Sequence, residues 1–126
     1  MKAMKASEIR GNWSTLLSVW NSDGSLDLGR VDHEVDVLMD ARVDGIYSNG
    51  TAGEFHAQTN EEFMAISTLL AMKCERNEMP FQLGISHMSA QISLERLIAA
   101  KRLKPAAFQV ILPDWFPGWE FDIGQS

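Results

Sequence analysis

Gly50-Thr51-Ala52-Gly53-Glu54 places a hydroxyl between two glycines, just after an apolar stretch and just before a helix-start pattern. Glycines let the backbone approach a ligand closely, free N–H groups donate to it, and a threonine hydroxyl adds a side-chain donor. That combination can hold an anion such as a carboxylate. Thr51 is the leading candidate, with Gly50 and Ala52 contributing backbone amides; an ordinary turn hydroxyl is the plain alternative. Ser48, Asn49 and His56 flank the motif and could line the same pocket. His87, after a later apolar stretch, could contact a ligand at the same end, while His33 lies among acidic residues and reads as solvated. No His, Cys, Asp or Glu grouping has the spacing of a metal site, so neither a metal nor another cofactor is expected.

These residues need a frame to hold them. Val43 to Ser48 reads as a short buried strand ending at the motif. Upstream, Trp13 to Trp20 reads as another strand, Asn21 to Ser25 as a turn, and Val31, Val35, Leu38 and Met39 recur at helical spacing. Downstream, Thr59-Asn60-Glu61-Glu62 matches a capping box, and Phe63, Ile66, Leu70 and Met72 continue that helix to Arg76. Phe81 to Ile85 is a third strand, with Gly84 permitting close packing. Ser86 or Ser89 can cap a helix carrying Ile92, Leu94, Leu97 and Ile98; Pro105 ends it, and Ala107 to Leu112 is a fourth strand. The alternation β-α-β-α-β-α-β in units of ~30 residues predicts right-handed parallel crossovers. Two architectures fit: a doubly wound sheet, or part of a (β/α)8 barrel. Both place ligands at the carboxyl ends of the strands, where the glycine-threonine motif falls.

The totals narrow the function. A chain of 126 residues reads as one domain, residues 1–126, large enough to bury a core. A formal charge of −6, with Lys101, Arg102 and Lys104 as the only basic cluster, argues against nucleic acid. No run approaches the ~18 apolar residues of a membrane span. Residues 1–10 lack the apolar core of a secretory signal. A single cysteine, Cys74, excludes an internal disulfide, fits a reducing cytoplasm and reads as an inert thiol in a helix. The methionines Met39, Met64 and Met72 read as core fillers at helical spacing. Lys73, Lys101 and Lys104 fall on helical segments facing water.

Taken in order, these segments resemble the N-terminal part of the dihydrodipicolinate synthase / N-acetylneuraminate lyase family, class I aldolases and dehydratases on a (β/α)8 barrel. Gly11-Asn12-Trp13-Ser14-Thr15-Leu16-Leu17 resembles its opening strand and Asp23-Gly24-Ser25-Leu26-Asp27 its following turn. Val43-Asp44-Gly45-Ile46 leads into Gly50-Thr51-Ala52-Gly53-Glu54, similar to the family's G-T/S-T-G-E signature. Thr59-Asn60-Glu61-Glu62 resembles the next helix start, and Ile111-Leu112-Pro113 falls where the fourth strand ends in a proline.

The resemblance implies half of a TIM barrel, with about four parallel strands and three to four helices, and a small-molecule substrate, pyruvate or a related 2-keto acid, handled through a Schiff base. It implies that Thr51 binds carboxylate and relays protons, and that Glu54 braces the loop. Ala52 stands where the family carries a second hydroxyl, leaving only its amide to donate. Trp115 and Phe116 stand where tyrosines are common, and neither can exchange a phenolic proton. They and Trp119 could line a pocket or a subunit contact, and residues 113–126 form a tail unlike the family's continuation. The family's Schiff-base lysine lies on a sixth strand, for which the chain has no counterpart. Two functional readings stand side by side: a lyase-family protein lacking its lysine region here, and an inactive remnant acting only as an interaction module. Open first and fourth strand edges lead to an expectation of self-association, as a homo-oligomer, or of poor solubility.

Overall fold

The computed structural model describes residues 3–49, 58–87 and 89–110. The elements run β1 (Trp13–Thr15), α1 (Leu28–Asp40), β2 (Gly45–Ser48), α2 (Asn60–Arg76), β3 (Phe81–Gly84), α3 (Ala90–Ala100) and β4 (Ala107–Gln109), with 3-10 turns at Ala6–Glu8 and Lys101–Leu103. The strands form one parallel sheet in the order β1-β2-β3-β4. Sequential order with every crossover in the same sense is that of a barrel; a doubly wound sheet would reverse direction at its first strand. The chain is an α/β fold built as the N-terminal part of a TIM barrel.

Each helix begins where a side chain replaces the missing intrahelical acceptor. The Asp27 carboxylate accepts from the Arg30 amide at 3.1 Å, and the Ser89 hydroxyl accepts from the Ile92 amide. Thr59 forms a full capping box: its hydroxyl accepts from the Glu62 amide at 3.1 Å, and the Glu62 carboxylate accepts from the Thr59 amide at 2.9 Å. Such caps contribute about 0.5–2 kcal/mol each. The helices end through left-handed residues that are not glycine, Arg42, Glu78 and Lys104, which turn the chain back toward the next strand.

The sheet has two unlike faces. Leu16, Ile46, Phe81, Leu83 and Ile85 pack with Val31, Val35, Phe63, Ile66, Leu70 and Cys74 from the helices, all essentially buried. The alternation of the strand backbone sends Thr15, Tyr47, Gln82 and Gln109 to the opposite face. Thr15, Tyr47, Gln82 and Ala107 are register neighbours in one row, and the Gln109 amide donates to Gln82 Oε1 at 2.8 Å.

Several sequence expectations need correction. The first strand is three residues long, because after Leu16 the chain leaves the sheet; Trp20 instead bridges antiparallel to Leu26 across the Asn21–Ser25 turn. Met72, Leu94 and Ile98 are exposed, because the sheet side of α2 is taken by Phe63, Ile66 and Leu70 and that of α3 by Ser93, Arg96 and Ala100. Lys73 does not face water: its ammonium is tied to Asp32 and Asp36 of α1. Burial lowers its pKa, but hydrogen bonds and attraction to the two aspartates outweigh that and raise it.

Cys74 is fully buried, and burial pushes its thiol up to about 12. Iodoacetamide at about pH 8 should therefore leave the folded chain unmodified and label Cys74 only as urea unfolds it. Rapid labelling of the native chain would contradict the packing described.

Candidate functional site

Because all strands are parallel, their carboxyl ends share one rim: Leu17 and Ser18 after β1, Ser48 and Asn49 after β2, Ser86 and His87 after β3. Asn49 precedes and Gln58 follows the segment 50–57. Gly50, Thr51, Ala52, Gly53, Glu54 and His56 lie outside the described residues, as do Ile111, Pro113, Trp115, Phe116, Trp119 and the tail. What the structure gives is the two stems that hold the signature segment.

The outgoing stem is built around Asn49. Its φ of 62° is left-handed, a conformation asparagine tolerates better than most residues, and it turns the chain out of β2. The side chain is 1% exposed, and its Nδ2 donates to Ser48 Oγ and to Ser67 Oγ on α2, each at 3.1 Å. Both candidate pocket residues thus turn toward α2 and act as supports for the stem. Asn49 Oδ1 is buried without a hydrogen-bond partner among the described residues. Gly84 on β3 completes the stem: a Cβ there would meet the Asn49 carbonyl oxygen at 2.4 Å and that of Ser48 at 2.9 Å. Gly84 is therefore the close-packing glycine expected from its place in the strand.

The returning stem is tied on two sides. Gln58, 6% exposed, donates through Nε2 to Ser18 Oγ at 3.1 Å, joining the exits of β1 and of the signature segment. Arg96 of α3, 3% exposed, donates through Nη2 to the Gln58 carbonyl at 3.0 Å and through Nε to Asn60 Oδ1 at 3.1 Å, and its guanidinium lies 5.1 Å from the Phe63 ring centre. Burial pulls the Arg96 pKa below its usual value.

His87 stands beside this arrangement, its Nδ1 accepting from the Ser89 amide at 2.9 Å. Burial, and then the Arg96 charge, lower its pKa. An accepting Nδ1 leaves Nε2 to carry the proton. On the inner face, Tyr47 and the Gln82–Gln109 pair present hydrogen-bonding groups where barrel interiors are dominated by branched apolar side chains. Among the described residues no group of three or more His, Cys, Asp or Glu could hold a metal ion.

Sequence reasoning missed Arg96, Gln58 and Ser67. Their available signal was a polar residue on an inward helix position: Ser67 beside Ile66 and Leu70, Arg96 one turn after Ser93. Arg96 follows Glu95 and reads like an ordinary charged surface pair until α3 is docked on α2.

With this geometry in place, comparison with known proteins is decisive. The sequence pattern of the Dihydrodipicolinate synthetase family matches residues 8–85, well over half of the chain and inclusive of both stems and the signature motif between them. The chain belongs to that family. No curated protein sequence matches it. Among solved structures, N-acetylneuraminate lyase from Mycoplasma synoviae is 25% identical with a TM-score of 0.78, over 89% of this chain and 38% of that one. YagE from E. coli K12, a prophage protein of the dihydrodipicolinic acid synthase family solved in complex with pyruvate, is 24% identical with a TM-score of 0.76, over 86% and 37%. CdNal from Clostridium difficile, solved in complex with mannosamine, is 19% identical with a TM-score of 0.79, over 91% and 39%. The chain spans little more than a third of the length of these proteins.

Two outcomes follow from the stems. Gly84→Ala must push a methyl group into backbone rather than into a yielding side chain, so urea unfolding should show a loss of about 1–3 kcal/mol; an unchanged midpoint would mean that β2 and β3 do not approach this closely. The His87 ring should titrate below the 6.5 of a free imidazole in proton NMR. Since the unfolded imidazole binds its proton more readily, His87 lowers stability as pH falls through 6.5.

Proposed function

We propose that this chain supplies the carboxylate-holding part of a lyase-family site for pyruvate or a related 2-keto acid. The observation that carries the reading is the family match running through residues 8–85, with the signature motif set between two anchored stems at the carboxyl rim of the strands. In this reading the backbone amides of Gly50 and Ala52 and the hydroxyl of Thr51 receive the keto acid's carboxylate, and the ketone projects toward the inner face lined by Tyr47. Thr51, in contact with the substrate, also passes protons. Ala52 contributes its amide alone, so the grip on the carboxylate has one hydrogen bond fewer than with a hydroxyl there. A hydrogen bond to a charged group is worth about 1.5–3 kcal/mol.

Imine formation requires a neutral lysine amine near the ketone. It attacks the carbonyl carbon, and the carbonyl oxygen leaves as water. Among the described residues no lysine is placed to do this. Lys73 is bound to Asp32 and Asp36, and Lys101 and Lys104 lie on the segment entering β4, at the opposite end of the sheet from the rim. The chain by itself is therefore expected to bind a keto acid without forming the covalent adduct. That separation favours keeping the second reading, an interaction module without catalysis, as the outcome in which binding also fails.

Nitrogen-15 NMR of the full chain titrated with pyruvate tests this. The amide signals of Gly50, Thr51, Ala52 and Gly53 should move, and Thr51→Val should weaken binding roughly tenfold or more. Incubation with pyruvate and borohydride should leave the chain's mass unchanged. Movement of signals elsewhere with the motif silent would overturn the assignment, and a reduced adduct would overturn the division of labour.

A further inference from the structure

We infer that Arg96 is a positioning residue for the stem that follows the signature segment: from α3 it grips Gln58 and Asn60 on either side of the Thr59 cap, and so fixes where the chain enters α2. The inference rests on the keto-acid reading for its consequence, but the clamp itself stands on geometry alone.

The guanidinium is 3% exposed and makes three contacts: the Gln58 carbonyl, the Asn60 side-chain oxygen and the face of Phe63. Among the described residues no carboxylate lies within salt-bridge distance of it and Nη1 has no hydrogen-bond partner. Burying a guanidinium is an expensive way to stabilise a helix pair, and an apolar side chain of similar length often packs as well or better. What an apolar side chain cannot do is hold two acceptors at fixed positions. The guanidinium is planar and rigid, with donors on neighbouring edges, so gripping a carbonyl and a side-chain oxygen together fixes direction as well as distance. Those acceptors straddle the residue where the loop becomes helix. Gln58 in turn holds Ser18 at the exit of β1. Arg96 therefore links α3, the start of α2 and the β1 exit into one support.

The test compares the full-length chain with Arg96→Met, which keeps the length and loses the donors, and Arg96→Lys, which keeps the charge but cannot span both acceptors. Three quantities are read: thermal midpoint, amide hydrogen exchange over residues 58–63, and pyruvate affinity by NMR. In both variants the midpoint should stay close to that of the unaltered chain, exchange over 58–63 should quicken roughly tenfold with the rest of α2 unchanged, and pyruvate affinity should fall roughly tenfold. A large drop in midpoint with faster exchange throughout would make Arg96 a plain packing residue and overturn the inference. So would unchanged exchange over 58–63 in both variants, or an Arg96→Lys chain indistinguishable from the original. If the unaltered chain fails to bind pyruvate, the keto-acid reading falls, and the exchange comparison still decides the clamp.

Discussion

Backbone amides can hold an anion only if the chain enters and leaves the binding segment in a fixed direction, and on either side of residues 50–57 the direction of the chain is set by a few buried polar contacts. At the outgoing end, Asn49 takes a left-handed turn and anchors its amide against Ser67 on α2. At the returning end, Arg96 grips Gln58 and Asn60. Both contacts use the helices as fixed walls. The helices are fixed because their apolar stripes bury Phe63, Ile66, Leu70, Val31 and Val35 against the sheet. Packing supplies the rigidity, and hydrogen bonds convert it into direction.

The two faces of the sheet divide this labour. The helix-facing side is apolar wherever it serves packing alone, and becomes polar near the rim, at Ser48, Ser67 and Ser93. Ser93 illustrates the change: its hydroxyl donates to the Ile85 carbonyl at 2.6 Å, tying α3 to the backbone just past the end of β3. The inner side carries Thr15, Tyr47, Gln82 and Gln109. A polar inner row is a poor core but a serviceable lining for a hydrated, anionic ligand.

Much of the frame was legible in the sequence. Helical spacing and the Thr59–Glu62 box placed α2 at the residues observed, and Gly84 was read for close packing. Those features are local: a cap is decided by three or four consecutive residues. The family resemblance added the barrel order that periodicity alone left open between two architectures, and the matched region 8–85 supports it. Apart from the overlong first strand, the misses are of one physical kind. Whether Met72, Leu94 and Ile98 are covered, and whether Arg96 and Lys73 are solvated, depends on which neighbour each helix meets. An amphipathic pattern fixes a stripe only when polar and apolar residues are cleanly separated. On α3 they are not, since Ser93 and Arg96 interrupt the inward side.

Where a chain departs from what local stability favours, the departures are informative when they cluster. Four of them flank residues 50–57: a non-glycine left-handed turn at Asn49, a buried Asn49 oxygen and a buried Arg96 nitrogen without hydrogen-bond partners among the described residues, and backbone packed against Gly84 too closely for any larger residue. The other left-handed residues, Arg42, Glu78 and Lys104, stand at helix ends, where such a turn satisfies leftover carbonyls and has a purely structural cause. Asn49 follows a strand and has no such cause. Its conformation is explained by the need to turn the backbone out of the sheet at a point where α2 and β3 both constrain it. A stretch optimised for stability would relax each of these features separately; their concentration on both sides of one segment shows that the two stems are constrained together by α2, α3 and β3.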